Sequence, residues 1–476
     1  MAETHAMHND KESPFTLTLV EDDLSLQVLQ FSGHEALNQP YRFDIEVIGL
    51  APAMNLDRLL QQPAFLSLGD GQGFHGILHS ASREHRGPHR IGYRLVLVPH
   101  LQNLERQPVR RVFQRLSVPA ILRQLLEEHT LPRHSYRFEL STGHYPIRPF
   151  CIQYEESDLA LLHRLCEAEG IHYHFEHHHD GHVLVLADDS LSFPQVPVLT
   201  PFHGDPFEEP DVATIRELFQ RHDSPLILTQ AEVRDRGTTP PSLGAANHPL
   251  ARNRPISTRL ATGQLHRDQR SHRTLERLRC QQRIVHGKSD QPGLLSGRIV
   301  QVEQHPVSSF NDQWLLTEIR HHGQQPSILN QEEFAAGPGY CNRFTAIPWS
   351  TVFRPALKQP RPNIPGYQPA RGLGEPGQPP MLDEQGRIQV SLWPQAIAPE
   401  PVGLWLPVAM GSCDDPSGLP VAGSDVFISF LDSDPDRPIL HVGSNLQNPR
   451  PTHTPPSRGD TRLLFDWLVN RRDTPG

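Results

Sequence analysis

The sequence is poor in cysteine, in long apolar runs and in excess positive charge, and each shortage excludes a class of protein. Five cysteines are scattered over 476 residues without the spacing of a metal site, so we expect buried, reduced thiols. No apolar run approaches the roughly 20 residues that span a bilayer. The formal net charge of −10 argues against nucleic acid as the main partner.

Targeting signals and familiar catalytic motifs are also missing. Residues 1–14 lack the basic start and apolar centre of a signal peptide, so we expect a flexible N-terminus on a chain made in the cytoplasm. Glu127, Glu128, His129 and His134 do not form H-E-x-x-H, because both glutamates precede the first histidine. G-x-S-x-G and the P-loop are absent as well. We expect no enzyme, no catalytic residues and no cofactor.

What the sequence does have is proline, with 47 residues, together with strand-like alternation. Proline at that frequency favours strands, turns and stiff linkers over long helices. Apolar residues alternate with polar ones from Phe15 onward, for example from Tyr41 to Val47. The pattern predicts a mainly β fold whose first strands form a closed or nearly closed antiparallel sheet.

Helical inserts interrupt the strands. One begins at Ser117 and places Ile121, Leu122, Leu125 and Leu126 on one face. Residues 274–283 are predicted to form a further, basic helix, and residues 294–302 a strand.

A second helix has well-defined end signals. Ser157 stands at the N-cap, Leu159, Leu162 and Cys166 recur at helical spacing, and Gly170 ends the helix. A β-hairpin follows, with its turn predicted at Asp180-Gly181.

The hairpin is rich in histidine, which invites a metal-site interpretation. Neutral imidazole is a common metal ligand, but no cysteine or spaced carboxylate completes a coordination shell, and the run straddles the turn. We therefore favour solvated strand and turn residues and predict no metal site. The histidines concerned are His172, His174, His177, His178, His179 and His182.

The C-terminal third is divided by proline-rich segments. Residues 346–380 are predicted to form an extended linker, 381–448 a small OB-like barrel, and 449–476 a second linker with a helix at 460–472. That helix either folds back on its own barrel or docks a partner. The candidate docking residues are Leu463, Leu464, Trp467 and Leu468.

Several stretches in order resemble the VgrG proteins, the trimeric spikes of the bacterial type VI secretion system. The block from Gln153 to Phe175 resembles Q-Y-x-E-S-D-L … E-x-E-G-I-x-Y-x-F, which in the family ends in L-V-L-x-D. Further matches lie at Pro306 to His321, Tyr340 to Pro348, Phe353 to Pro355, Asp383 to Val390 and Phe430 to Leu440.

The resemblance implies the architecture and the partners. Residues 15–345 correspond to a phage tail-hub module of two related β-barrels with helical inserts, followed by the OB-fold base of a spike. Three chains form a homotrimer that caps a hexameric Hcp-like tube and contacts baseplate proteins. The assembly carries an effector or tip adaptor and is exported without a signal peptide. A central hub of a prophage tail or an extracellular contractile particle is the alternative.

Two departures from the family pattern qualify this expectation. The barrel segment from Gly418 to Val426 lacks the usual glycine-rich wording. Only about 25 residues follow the barrel, where the family continues into a β-helix needle. We therefore expect a short form without a needle, which puts docking of a PAAR-type tip in doubt. A nucleic-acid-binding barrel and a histidine-rich metallohydrolase rank below the structural function.

Overall fold

The protein is described by a computed structural model that covers most of the chain. The described residues are 15–22, 24–50, 53–69, 71–85, 90–205, 212–222, 256–325, 339–394, 403–408 and 419–441. The strands are β1 (Thr16–Leu19), β2 (Leu24–Ala36), β3 (Gln39–Leu50), β4 (Pro63–Gly69), β5 (Gln72–His85), β6 (Arg90–Val98), β7 (Val109–Leu116), β8 (Tyr136–Glu139), β9 (Arg148–Glu156), β10 (His172–His178), β11 (Gly181–Ala187), β12 (Val198–Pro201), β13 (Ile215–His222), β14 (Arg283–Ser289), β15 (Ile299–Glu303), β16 (Gln313–Gln324), β17 (Tyr340–Pro348), β18 (Tyr367–Gly372), β19 (Ile388–Leu392), β20 (Leu404–Leu406), β21 (Asp425–Phe430) and β22 (Pro438–His441). The α-helices are α1 (Leu56–Leu59), α2 (Val118–Glu128), α3 (Asp158–Glu169) and α4 (Ile256–Gln282).

The first strands close into a barrel. Strand β1 pairs with both β2 and β4, so β1, β4, β5, β6, β3 and β2 form an antiparallel ring. Along β3, Tyr41, Phe43, Ile45 and Val47 are buried and the residues between them are not. The rings of Phe43 and Phe74 lie 4.2 Å apart in its core. The predicted closed antiparallel sheet is confirmed.

A second barrel shares a seam with the first. Strand β16 pairs with β2, and the sheet continues through β17, β14 and β13. On its other side β16 pairs with β15, which pairs in parallel with β12. A bridge between Phe202 and Ile215 joins the end of β12 to β13 and completes the ring. Trp314 and Phe344 are buried in this core. The two-barrel module that the resemblance implied is confirmed.

The helical inserts pack beside the first barrel. The apolar face of α2 is buried as predicted, with Ile121, Leu122, Leu125 and Leu126 all inaccessible to solvent. Because α3 buries its own apolar stripe against the same cluster, the two helices extend the core of the first barrel. Strands β7 and β9 form a ribbon, and β10, β11 and β8 form a small sheet next to them.

Three local predictions differ from the structure. Helix α4 is 27 residues long, far longer than the segment 274–283 predicted from the sequence, because its inward face is polar and carries no apolar stripe. The strand predicted at 294–302 begins only at Ile299, since a turn occupies the residues before it. In the β10–β11 hairpin, His178 pairs with Gly181, so the turn residues are His179 and Asp180.

A separate compact unit begins at Pro365. Its sheet has the order β20, β19, β18, β21, β22, and a bridge between Val408 and Leu440 connects the two ends. This nearly closed five-stranded arrangement agrees with the expected OB-like barrel. Strand β18 lies inside the segment predicted as a linker, because Tyr367–Gly372 pairs with two barrel strands. The polar turn from Asp432 to Arg437 is held by a 3.0 Å ion pair between those two side chains.

Candidate functional site: a buried polar junction around helix α3

The residues that carry the family resemblance meet around helix α3. At its start, Ser157 Oγ accepts the backbone N–H of Ala160 at 3.1 Å, which confirms the predicted N-cap. The Ser157 hydroxyl also donates to Glu105 at 3.0 Å. Arg111 and His129 each approach the Asp158 carboxylate to 2.6 Å. The start of α3 is therefore fixed to β7 and to the end of α2.

The end of α3 carries a buried carboxylate in a cationic setting. Glu169 accepts hydrogen bonds from Arg148 at 2.6 Å and from His266 of α4 at 2.9 Å, and Arg273 lies 3.5 Å away. Burial by itself raises the pKa of Glu169, but the bond from His266 and the charge of Arg148 outweigh burial and lower the pKa to about 2. Gly170 then ends the helix with a φ of 68°, as predicted.

Glu167 holds a different segment. Its carboxylate accepts the backbone N–H groups of Lys358 and Gln359, each at 2.8 Å. Burial raises the pKa of Glu167 although both of these bonds oppose the rise. The backbone carbonyl of Glu167 accepts a hydrogen bond from Arg277 of α4. The last turn of α3 therefore contacts both α4 and the segment that follows the second barrel.

Arg354, from the Phe353 to Pro355 motif, connects three elements. Its Nη1 donates to the carbonyl oxygens of Gly170 and Asp188, and its Nε donates to Glu276 of α4 at 2.7 Å. The planar guanidinium can donate to several acceptors at once in a fixed geometry that an ammonium group does not reproduce. Because Arg354 is only 8% exposed, these acceptors replace the water that its charge has lost.

Asp188, at the end of β11, organises the loop that follows β8. Its buried carboxylate accepts the backbone N–H groups of residues 141–143 at 2.6 to 3.2 Å. The hydroxyl of Tyr145 donates to it at 2.8 Å. Burial raises the pKa of Tyr145, and Asp188 adds to the rise while Arg273 opposes it. The Asp188 position corresponds to the last residue of the L-V-L-x-D wording, so the sequence contained a signal for it.

A second buried polar contact lies at the seam between the two barrels. His321 of β16 lies 3.2 Å from Glu35 of β2, and its other ring nitrogen lies 2.7 Å from the hydroxyl of Tyr340. Glu35 also accepts the backbone N–H of Ser296 at 2.8 Å. No local pattern reveals this pair, because its members are 286 positions apart in the chain.

The carboxylates of the junction all have partners. Each is engaged by cations, amides or hydroxyls. Across the described ranges, no group of three His, Cys, Asp or Glu side chains converges in a way that could hold a metal ion. The junction joins α3, α4, β11 and the segment after the second barrel through hydrogen bonds and ion pairs.

The histidine-rich hairpin differs from its predicted state. The interpretation as solvated residues holds for His178 and His179, which are exposed. It is wrong for His172, His174 and His182, which are at most 4% exposed. Both faces of the small sheet are packed against other residues, whereas the apolar–polar alternation of the sequence indicated only one buried face. His172 and His174 share a face, as expected, and both contact Phe193, with ring centroids 4.5 and 5.1 Å apart.

The outer surface of the second barrel presents large apolar side chains. Strand β12 exposes 60% of Leu199, and β13 exposes 58% of Phe219. Val307, in the loop after β15, is 51% exposed. These residues lie on separate elements, and single exposed apolar side chains are common on protein surfaces. The predicted docking residues Leu463, Leu464, Trp467 and Leu468 lie outside the described residues.

Two joined barrels and a small OB-like barrel define a fold of the tail-hub class. Comparison with known proteins agrees with this class. Residues 34–327 match the family described as phage tail baseplate hub (GPD). The chain belongs to the phage tail baseplate hub family.

Within that family, the resemblance to VgrG proteins is confirmed. The type VI secretion system spike proteins VgrG4b and VgrG5 of Pseudomonas aeruginosa are 37% and 38% identical over 96% and 90% of this chain. The matches cover 59% and 57% of those proteins, so the chain spans less than two thirds of their length.

A solved structure shows the same fold. The E. coli c3393 protein, described as a type VI component similar to the T4 tail proteins gp27 and gp5, aligns with a TM-score of 0.66 and 24% identity. The alignment covers 87% of this chain and 96% of that one. No helix in the described part of this chain is long and apolar enough to cross a membrane.

Proposed function

We propose that this chain is the hub and spike base of a type VI secretion apparatus. Three copies form a homotrimer that caps a hexameric Hcp-like tube, contacts baseplate proteins, and carries an effector or tip adaptor for contractile delivery. The observation that supports this proposal is the pair of closed barrels joined along β2 and β16. Two barrels per chain give a trimer six related surfaces, which suits a hexameric partner.

The work of such a hub is mechanical and needs no catalytic step. A hub on a contracting machine must move as one body, and the buried junction around α3 supports this requirement. Its charged groups have partners on α4, on β11 and on the segment that carries Arg354, so relative movement of these elements breaks several buried polar contacts at once. Export follows from assembly into the machine, since the trimer leaves the cell with the tube.

The segment at 460–472 has a separate place in the proposal. We assign it to partner docking, with Leu463, Leu464, Trp467 and Leu468 as anchors, because a short amphipathic helix after a proline-rich stretch suits capture by an apolar groove. Trp467→Ala is expected to reduce retention of a co-expressed effector or adaptor and to leave the melting temperature unchanged. Loss of thermal stability in that variant indicates instead that the helix folds back on its own barrel.

The native mass of the purified chain tests assembly directly. Light scattering is expected to give about 161 kDa, three times the 53.8 kDa of one chain. A monomer that persists in the presence of the tube protein overturns the proposal.

The match to a phage hub family favours one alternative, a central hub of a prophage tail or an extracellular contractile particle. Export into the medium separates the two. Loss of export when the type VI membrane complex is deleted supports the secretion role, and export that continues supports a free particle.

A further inference from the structure

A chain of buried imidazoles connects the β10–β11 hairpin to the first barrel. His182 of the hairpin lies with its Nδ1 3.0 Å from the Nδ1 of His75 on β5. Its Nε2 accepts the backbone N–H of His100 at 3.2 Å, and the His100 and His182 rings stack at 4.8 Å. His177 of β10 lies between Tyr41 and Phe74, with ring centroids 4.9 and 5.0 Å away. The hairpin therefore meets the barrel through histidine rings as well as through apolar side chains such as Phe175, whose ring lies 4.9 Å from that of Tyr41.

The hydrogen-bond directions require neutral rings. Because His182 Nε2 accepts from a backbone N–H, the proton of His182 lies on Nδ1 and is donated to His75. His75 Nδ1 is then an acceptor. Protonation of His75 sets two N–H groups against each other across 3.0 Å, and protonation of His182 sets its new N–H against that of His100. Either event breaks a bond between hairpin and barrel.

The surroundings offer little compensation for a positive charge. His75 and His182 are 2% and 4% exposed. Burial lowers the pKa of His75 and of His177 to about 4, and places that of His182 well below its ordinary value.

Charged and titratable groups face this cluster from every neighbouring element. The groups that favour a proton are Glu35 on β2, which acts on His177, and Asp180 in the turn, which acts on His75. The groups that oppose a proton are the histidines themselves, with His178 and His179 of the hairpin, His321 on β16 and His134 beside His100. Tyr41 remains a neutral hydroxyl because burial raises its pKa. More of these groups oppose protonation of the histidines than favour it.

We propose that this cluster makes the contact between the β10–β11 hairpin and the first barrel acid-sensitive, so that mild acid releases the hairpin while the barrels stay folded. A released histidine binds a proton near pH 6.5, whereas a packed one does so only near pH 4. The contact is therefore fully stable above pH 6.5 and weakens as the pH falls from 6.5 towards 4. Each histidine with this shift favours release about thirtyfold more at pH 5.0 than at pH 7.5.

Hydrogen exchange of the full chain tests the proposal without any assumption about assembly. Exchange is followed by mass spectrometry at pH 7.5 and 5.0 and corrected for the intrinsic rate. Peptides from residues 172–187 are expected to open at least about tenfold more at pH 5.0, while peptides from α2 keep their protection. Unchanged hairpin opening, or opening of α2 in step with the hairpin, overturns the proposal.

Variants assign the effect to particular rings. His75→Gln and His182→Gln replace titratable rings with neutral side chains and are each expected to reduce the pH response severalfold. His79→Gln, at an exposed position of the same strand as His75, is the matched control and is expected to keep the wild-type response. If both buried variants keep the full pH response, the assignment of the effect to these two rings is wrong. If a variant does not fold, the comparison of the wild-type protein at pH 7.5 and 5.0 still tests the proposal.

Discussion

The Nη1 atom of Arg354 lies 2.7 Å from the carbonyl oxygen of Asp188, and the same atom donates to the carbonyl of Gly170 at 3.1 Å. One side chain from the segment after the second barrel thus joins the end of β11 to the end of α3. The carbonyl of Asp188 also accepts a hydrogen bond from the Thr142 hydroxyl at 3.3 Å. The separation of the two carbonyls in sequence, 166 and 184 positions from Arg354, shows that the contact exists only in the folded chain.

Removal of this guanidinium is expected to destabilise the first unit strongly. Arg354→Ala removes the guanidinium donor from the carbonyls of Gly170 and Asp188 and from the Glu276 carboxylate, at a cost of about 3 kcal/mol in the free energy of unfolding. Arg354→Lys keeps the charge but loses the planar fork, at a cost of about 2 kcal/mol. Urea unfolding followed by circular dichroism measures both changes.

The control for Arg354 is an exposed arginine in the same unit. Arg94 pairs with Glu46, but its side chain is 65% exposed. Arg94→Ala is expected to change the free energy of unfolding by no more than about 0.5 kcal/mol. Equal losses in the Arg94 and Arg354 variants contradict the role given to the buried contact.

Neutralising Glu169 is expected to leave buried cations without compensation. Glu169→Gln removes the charge that faces Arg148, His266 and Arg273, and should cost about 3 kcal/mol at pH 7. The matched control is Glu155→Gln, since the carboxylate of Glu155 is 55% exposed and pairs with an arginine that is itself 43% exposed. We expect little change there.

The Glu169 effect should also depend on pH. Its pKa is lowered in the folded chain, to about 2, so the stabilisation is present above the ordinary value of 4.5 and is lost as the pH falls from 4.5 towards 2. The difference in stability between wild type and Glu169→Gln is therefore expected to narrow between pH 5 and pH 3. A difference that stays constant over that range argues against an ionised Glu169 in the folded state.

Two glycines should respond to alanine in opposite directions. Gly170 has a φ of 68°, and an added Cβ meets Arg273 Cδ at 2.8 Å, so Gly170→Ala is expected to cost about 1–2 kcal/mol. Gly263, inside α4, has no atom within 4 Å of an added Cβ. Gly263→Ala is expected to add up to about 1 kcal/mol of stability. Thermal unfolding measures the change in stability of each variant. If alanine stabilises both variants, or destabilises both, the argument is wrong.

Assembly should be sensitive to the outer face of the second barrel. Leu199→Asp places a charge at an exposed apolar position that we expect the trimer to cover, so sedimentation is expected to show dissociation at concentrations where the wild type is trimeric. The dissociated chain should still show a melting transition, because it is expected to remain folded. Leu191→Asp, at a 72% exposed position between β11 and β12, serves as the control. A trimer that survives Leu199→Asp shows that association uses another face.

Local signals in the sequence were read correctly where neighbours along the chain decide the structure. The N-cap at Ser157, the terminal glycine at 170 and the apolar face of α2 all depend on residues within a few positions of each other. The alternation along β3 likewise predicted its buried side. For α4 the same method found too short a helix, because its inward face carries His266, Arg273 and Arg277 in place of apolar residues.

The sequence by itself determined the strand pattern, the ends of α3 and, through its motifs, the family. The tertiary structure alone decided which strands close each ring, and it alone placed Glu35 against His321 and Arg354 against Asp188. It also buried His172, His174 and His182 of the hairpin, and it brought His182 to His75 across 107 positions. The physical reason is that periodicity shows which side of an element is apolar, whereas the partner on the other side is chosen by packing between segments distant in the chain.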